Sequence, residues 1–243
     1  AHGTRPDVRP GPRDPATGRV GAARVPRVSR SVRAYVALGA NVGDAEATLA
    51  RAVGALAALP GVRLRGVSRL YATAPVGVTD QPEFRNAVVA LDVASPADPA
   101  AGAVALLRTL KGLERAFGRR PGGRWGPREL DLDLIVFGRH RLRVDRPPGT
   151  DPTDPARAAD PSRRFLEVPH PEARERLFVL APLADLAPGL VPPGWAETVR
   201  TARDRRARIE GSAAARPIGR WDPESGRWWP PPEVDPPEPV PPM

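Results

Sequence analysis

The chain lacks cysteine altogether, holds a single lysine, Lys111, among 37 basic residues, and is only 5% aromatic over 243 residues. Without thiols, disulfide frameworks, thiolate catalysis and cysteine-based zinc sites are excluded. Its three histidines, His2, His140 and His170, are too scattered for a histidine-rich metal centre. No window offers the ~20 consecutive apolar residues of a membrane span, and the start of the chain has no apolar run of the secretory kind. A soluble, cytoplasmic protein without membrane contact is expected.

Arginine and proline are abundant instead. Much of the net charge of +9 comes from residues 1–32, which carry seven Arg against two Asp, while residues 195–243 balance eight basic against eight acidic side chains. A charge placed in a tail favours solubility more than recognition of a polyanion, so no nucleic-acid partner is expected. The 33 prolines gather at the two ends and in one internal stretch. Three regions follow: a disordered basic extension over 1–32, a working domain over 33–194 with a surface insert at 147–164, and a disordered Pro-rich tail over 195–243. The run from Pro230 to Met243 is either a solvated tail or a ligand for a Pro-binding module.

Within the domain the pattern changes. Arg33–Leu38 reads as a strand, and GANVGD then supplies turn glycines and Asp44 to start a helix. Leu49, Val53, Leu56 and Leu59 fall at helical spacing, and Pro60-Gly61 ends the run. Val62–Tyr71 and Asn86–Val93 are strand candidates. A second helix spans Pro99–Phe117, with Ala103, Leu106, Leu107, Leu110, Leu113 and Phe117 as its buried stripe. Leu130–Phe137 is a further strand and Arg174–Leu186 an extra C-terminal helix. The order β-α-β-β-α-β predicts an α+β, ferredoxin-like sheet with its helices on one face.

Candidate chemistry concentrates in RWGPRELDLDLIVF, residues 124–137. Strand alternation puts Asp131 and Asp133 on one face with Ile135 and Phe137, opposite Leu130, Leu132, Leu134 and Val136. Two acids spaced ~7 Å along a strand can hold a pair of cations ~3.5–4 Å apart. Oxygen ligands select magnesium, and magnesium brings phosphates with it. Arg119, Arg120, Arg124 and Arg128 form a guanidinium loop suited to a polyphosphate. Phosphoryl or nucleotidyl transfer fits this set; a solvated strand edge salt-bridged to its arginines would share the spacing. His170, between Pro169 and Pro171, is either aimed at a phosphate or a capping or core histidine. The turn-rich stretch from Thr73 through Asn86 offers backbone groups, Phe84 and Asn86 to a flat heterocycle, or is an ordinary connection. Neither a Walker A sequence nor a dinucleotide fingerprint is present.

Taken in order, ALGANVGD, YATAPVG, DQPEFRNAVV, LERAFGRR, RWGPRELDLDLIVFG and VPHPEARERLFVLAPLADLAP resemble the 6-hydroxymethyl-7,8-dihydropterin pyrophosphokinase family of folate biosynthesis, over residues 33–190. One departure is Ala40, where that family usually has Ser. The resemblance implies transfer of pyrophosphate from ATP to hydroxymethyldihydropterin, with AMP leaving and two magnesium ions assisting. It implies that Asp131 and Asp133 hold both ions; that Glu114, Arg119, Arg128, His170 and Arg176 contact ATP; and that Arg120 and Arg128 act beside the acids in catalysis. Phe84 and Phe178 would sandwich the pterin, with Thr73, Ala74, Val76 and Asn86 reading its edge and Trp125 closing over it. A monomer whose ligands are small molecules is expected, with protein contact through the Pro-rich tail as an alternative read from composition alone. The rival class, a noncatalytic nucleic-acid binder, lacks a stacked aromatic series on a basic strand.

Overall fold

Alternating small and branched residues make β1, Arg30–Ala40, a strand with two buried faces: Ala34, Val36, Leu38 and Ala40 enter one core, while Tyr35 and Ala37 enter another. The structure, a computed structural model, describes residues 30–75, 77, 80–119, 126–145 and 164–230. After β1 come α1 (Ala45–Ala57), β2 (Val62–Val67), β3 (Leu70–Thr73), β4 (Phe84–Ser95), α2 (Pro99–Ala116) and β5 (Asp131–Phe137). A small ribbon, β6 (Leu142–Asp145) with β7 (Arg164–Val168), precedes α3 (Leu177–Leu186), α4 (Val199–Glu210) and the hairpin β8 (Arg216–Asp222) with β9 (Arg227–Trp229).

The first two helices start where the sequence says they should. Asp44 caps α1 by accepting the Ala47 N–H at 3.0 Å, and Asp98 caps α2, whose first residue is Pro99. Leu49, Ala52, Val53 and Leu56 of α1, and Ala103, Leu106 and Leu110 of α2, fill the core on the Leu38 side of the sheet. Gly102 lets α2 approach closely, since a Cβ there would stand 2.2 Å from Ser95 Oγ.

All sheet pairings are antiparallel. β5 lies at one edge beside β1, β1 pairs along its length with β4, and β4 carries β2 and β3 in succession on its other side. This is the expected ferredoxin-like arrangement, with α1 and α2 on one face. The extra C-terminal helix α3 covers the opposite face together with α4, packing Val179, Leu183 and Val199 on Tyr35, Val88 and Ile135.

Four expectations need correction. The strand predicted over Val62–Tyr71 breaks at Ser68, which bridges the gap by accepting the Val88 N–H at 2.9 Å and donating to the Arg69 carbonyl at 2.7 Å. The helix predicted from Arg174 begins only at Leu177, after a 3-10 turn over Ala173–Glu175 and an extended Arg176. Phe137 does not share the face of the two acids: the register shifts by one residue at Ile135, and Phe137 joins the α2 side. Finally, the disordered segments were drawn too widely. Residues 30–32 already pair with β4, and residues 195–230 are not a disordered tail but hold α4, β8 and β9. β8 pairs with β3 and extends the main sheet, and Trp228 is buried with its indole N–H on the Ser68 carbonyl at 2.9 Å. The rest of the basic extension, residues 231–243 and the insert up to residue 163 lie outside the described residues. Among the described residues no helix is long and apolar enough to cross a membrane.

Candidate active site

The strand ends that meet at one corner of the sheet place chemistry in a row. Asp131 pairs with Gly39, Gly39 with Asn86, and Asn86 with Tyr71, so an acid and an amide face the same side across a residue with no side chain. A Cβ on Gly39 would lie 3.2 Å from Asn86 Oδ1. Above this row opens a cavity of about 810 Å³, walled by the sheet, α2, β7 and the segment around His170 and Phe178.

One end is charged. Gly118, with φ of +93°, turns the chain after α2 so that Arg119 folds back over its own helix. Arg119 Nη1 donates to Asp131 Oδ1 at 2.6 Å and also meets Glu114 Oε2 at 2.5 Å. Arg128 Nη1 takes the other Asp131 oxygen at 2.5 Å. Asn41 fixes the backbone of Arg128 from both sides, its N–H donating to the Arg128 carbonyl at 3.0 Å and its Oδ1 accepting the Arg128 N–H at 2.8 Å. Lys111 reaches Glu114 Oε1 at 2.7 Å, the Leu132 carbonyl at 2.9 Å and Asp133 Oδ1 at 3.4 Å.

These contacts set the charges. Burial pushes the Asp133 carboxyl up, but Lys111 and His170 outweigh it and hold the group below the usual carboxylate range. Burial disfavours charge on Lys111 too, yet Asp133 and Glu114 raise its pKa, so it stays an ammonium ion. Burial lowers the pKa of His170, Asp133 offsets part of that, and Arg176 lowers it again, so the imidazole is neutral near pH 7. Its Nδ1 accepts the Glu172 N–H at 3.3 Å, which leaves the proton on Nε2 as a donor. The His170 N–H donates to the Ile135 carbonyl at 2.9 Å and ties the residue to β5.

The other end is apolar and walled by Phe84, Phe178, Ala74 and Val179. Arg176 lies 5.5 Å over the Phe178 ring and forms an ion pair with Glu172. Asn86 Nδ2 donates to Thr73 Oγ1 at 2.8 Å, fixing the orientation of the amide.

Among the expected site residues, Asp131, Asp133, Arg119, Arg128, His170, Arg176, Thr73, Ala74, Phe84, Asn86 and Phe178 all line this one cavity. Glu114, expected to contact ATP, is not among the lining residues: its side chain is 3% exposed and is held by two cations and a backbone N–H. Val76, Arg120 and Trp125 lie outside the described residues. Sequence reasoning missed Asn41 and the working part of Lys111. Lys111 carried a signal, as the one lysine in an arginine-rich chain.

The carboxylate pair suits a magnesium–nucleotide complex. Both acids face the cavity, the Asp133 side chain is 34% exposed, and the donors are oxygens only. No group of three or more acidic, His or Cys ligands occurs among the described residues.

The sequence profile of the 7,8-dihydro-6-hydroxymethylpterin-pyrophosphokinase family matches residues 35–188. The chain is 41% identical over 170 residues to a 2-amino-4-hydroxy-6-hydroxymethyldihydropteridine pyrophosphokinase of Methylorubrum extorquens, covering 70% of this chain and 90% of the relative. It is also 41% identical over 162 residues to the enzyme of the same name from Pseudomonas aeruginosa, covering 66% and 84%. Among solved structures, Plasmodium falciparum HPPK-DHPS with pteroate has the same fold, with a TM-score of 0.58 at 14% identity over 82% of this chain. This chain spans about half, 47%, of that longer one.

Proposed function

The chain belongs to the 7,8-dihydro-6-hydroxymethylpterin-pyrophosphokinase family, and from that membership we propose how its cavity acts. It transfers pyrophosphate from ATP to hydroxymethyldihydropterin in folate biosynthesis. The hydroxymethyl oxygen bonds to the β-phosphorus, the bond from that phosphorus to the oxygen of the α-phosphate breaks, and AMP leaves while the hydroxyl gives up its proton. The observation that carries this reading is the convergence of paired acids, arginines and an apolar slot on one cavity.

Asp131 and Asp133 would hold two magnesium ions, which when bound would supply charge compensation for phosphate oxygens and Lewis acidity toward the hydroxyl. Arg119 and Arg128 move from Asp131 to the phosphates, and Arg176 supplies a further guanidinium beside the ring slot. Neutral His170 donates from Nε2 to a phosphate oxygen without the repulsion a second charge would bring to the arginines. Phe84 and Phe178 enclose the pterin while Asn86 presents its amide to the ring edge. Alignment and charge compensation supply most of the acceleration, and the protein forms no covalent intermediate.

The test is product identity. Purified protein given ATP, magnesium and the dihydropterin yields AMP; formation of ADP, or no pterin-dependent nucleotide breakdown, would overturn the reading.

A further inference from the structure

We infer that Lys111 and Glu114 are positioning residues: they stand in for a missing neighbour strand at Leu132, the residue between the two acids, and so fix how Asp131 and Asp133 face the cavity. The inference rests on the pyrophosphokinase reading of the site. Among the described residues β5 pairs with β1 alone, which leaves its other edge open, and α2 packs against it. Leu132 is fully buried, and a buried backbone group left without a partner is destabilising. Both of its outward groups are met by α2 side chains instead. The Leu132 N–H donates to Glu114 Oε1 at 2.7 Å, and the Leu132 carbonyl accepts from Lys111 Nζ at 2.9 Å.

The same two side chains lead on to the acids. Glu114 gives one oxygen to Lys111, which touches Asp133, and the other to Arg119, which holds Asp131. One buried carboxylate is therefore the hub from which a cation runs to each acid. Its near-complete burial and its place outside the cavity wall suit support better than ligand contact.

The chemistry also calls for lysine in particular. An ammonium group carries three N–H donors directed from one point, and three acceptors surround Lys111 Nζ: Glu114 Oε1, the Leu132 carbonyl and Asp133 Oδ1. A planar guanidinium fans its donors outward and cannot converge them in this way. Every other basic residue of the chain is arginine, so this site departs from the bias that governs the rest.

The absence of cysteine makes the test clean. A Lys111→Cys variant can be alkylated at that one thiol with 2-bromoethylamine, giving a lysine analogue with three N–H donors. Alkylation with (2-bromoethyl)trimethylammonium gives the same charge with no N–H. Binding of manganese(II) with α,β-methylene-ATP, hydrogen exchange at the Leu132 amide, and kcat and KM are compared. We expect the aminoethyl form to approach wild type. The trimethyl form should lose about 10–100-fold in metal–nucleotide affinity and kcat, the range for partners that orient metal ligands, with faster Leu132 exchange and little change in KM for the pterin. Equal affinity, exchange and kcat in the two forms would overturn the proposal. Glu114→Gln, which keeps the acceptor for Leu132 while removing the charge, should show an intermediate loss; wild-type values there would remove Glu114 from the claim. Metal–nucleotide affinity and amide exchange are read without pterin turnover, so failure of the positioning role is distinct from failure of AMP formation by the unmodified protein.

Discussion

At the charged end of the cavity Asp131 has both oxygens occupied by Arg119 and Arg128, and Asp133 sits against Lys111; at the ring end Phe84, Phe178 and Ala74 leave a slot with one oriented amide. The first end is filled with groups that already neutralise one another, so on the proposed reading a polyphosphate and its metals would enter by exchanging partners. The second needs only the removal of water from apolar walls, with a single amide to orient the ring. Substitutions should therefore separate: damage to the charged end lowers kcat, and damage to the ring end raises KM for the pterin.

Asp133→Asn is the most severe way to break that contrast. It keeps the shape and removes the charge that faces the phosphates, so kcat should fall by about a thousandfold or more, roughly 4 kcal/mol, with the circular dichroism spectrum unchanged. A kcat within tenfold of wild type would show that this acid does not serve the reaction.

Asn86→Ala tests the other end. It removes the hydrogen bond to Thr73 and a buried amide facing the slot, and should raise KM for the pterin by about 10–100-fold while KM for ATP changes little. A loss confined to ATP would reverse the assignment of the two ends.

The smallest effect concerns what holds the ring-end strand. Tyr71 of β3 donates its phenol to Asp185 of α3 at 3.0 Å, and Asp185 is held in turn by Arg69 at 2.7 Å. Burial and the Asp185 charge raise the phenol's pKa above its ordinary value. The folded state thus keeps a proton that the unfolded chain gives up, and the stability this contributes is present below about pH 10 and is lost as the pH rises past it. Thermal melts from pH 8 to 11 should show a steeper alkaline decline in wild type than in Tyr71→Phe, which itself costs about 1 kcal/mol at pH 8. Parallel curves would remove this contact from the account.

The two ends also differed in how far they could be read from the sequence. The alternation of Asp131 and Asp133 with leucines, the cap at Asp44 and the apolar stripes of α1 and α2 are local patterns, and local patterns survive into the fold. The bulge at Ile135 is set by pairing with β1, a distant segment, and no local signal places Phe137 on the far side. Glu114 lies four residues after Leu110 on the buried stripe, which marks it as an inward-facing residue. The strands β8 and β9 escaped notice because their sequence is polar and arginine-rich, and they are held by pairing with β3 and by Trp228. Aromatic clustering at Trp221, Trp228 and Trp229, in a chain with few aromatics, was the available sign.

The most direct measurement counts manganese(II) ions bound per protein in the presence of α,β-methylene-ATP, in wild type and in Asp131→Asn and Asp133→Asn. Two ions per wild-type chain, with affinity at least tenfold weaker in each variant, is the predicted result. Equal numbers of ions bound with equal affinity in all three proteins would contradict the claim that this acid pair is the cation seat on which the transfer depends.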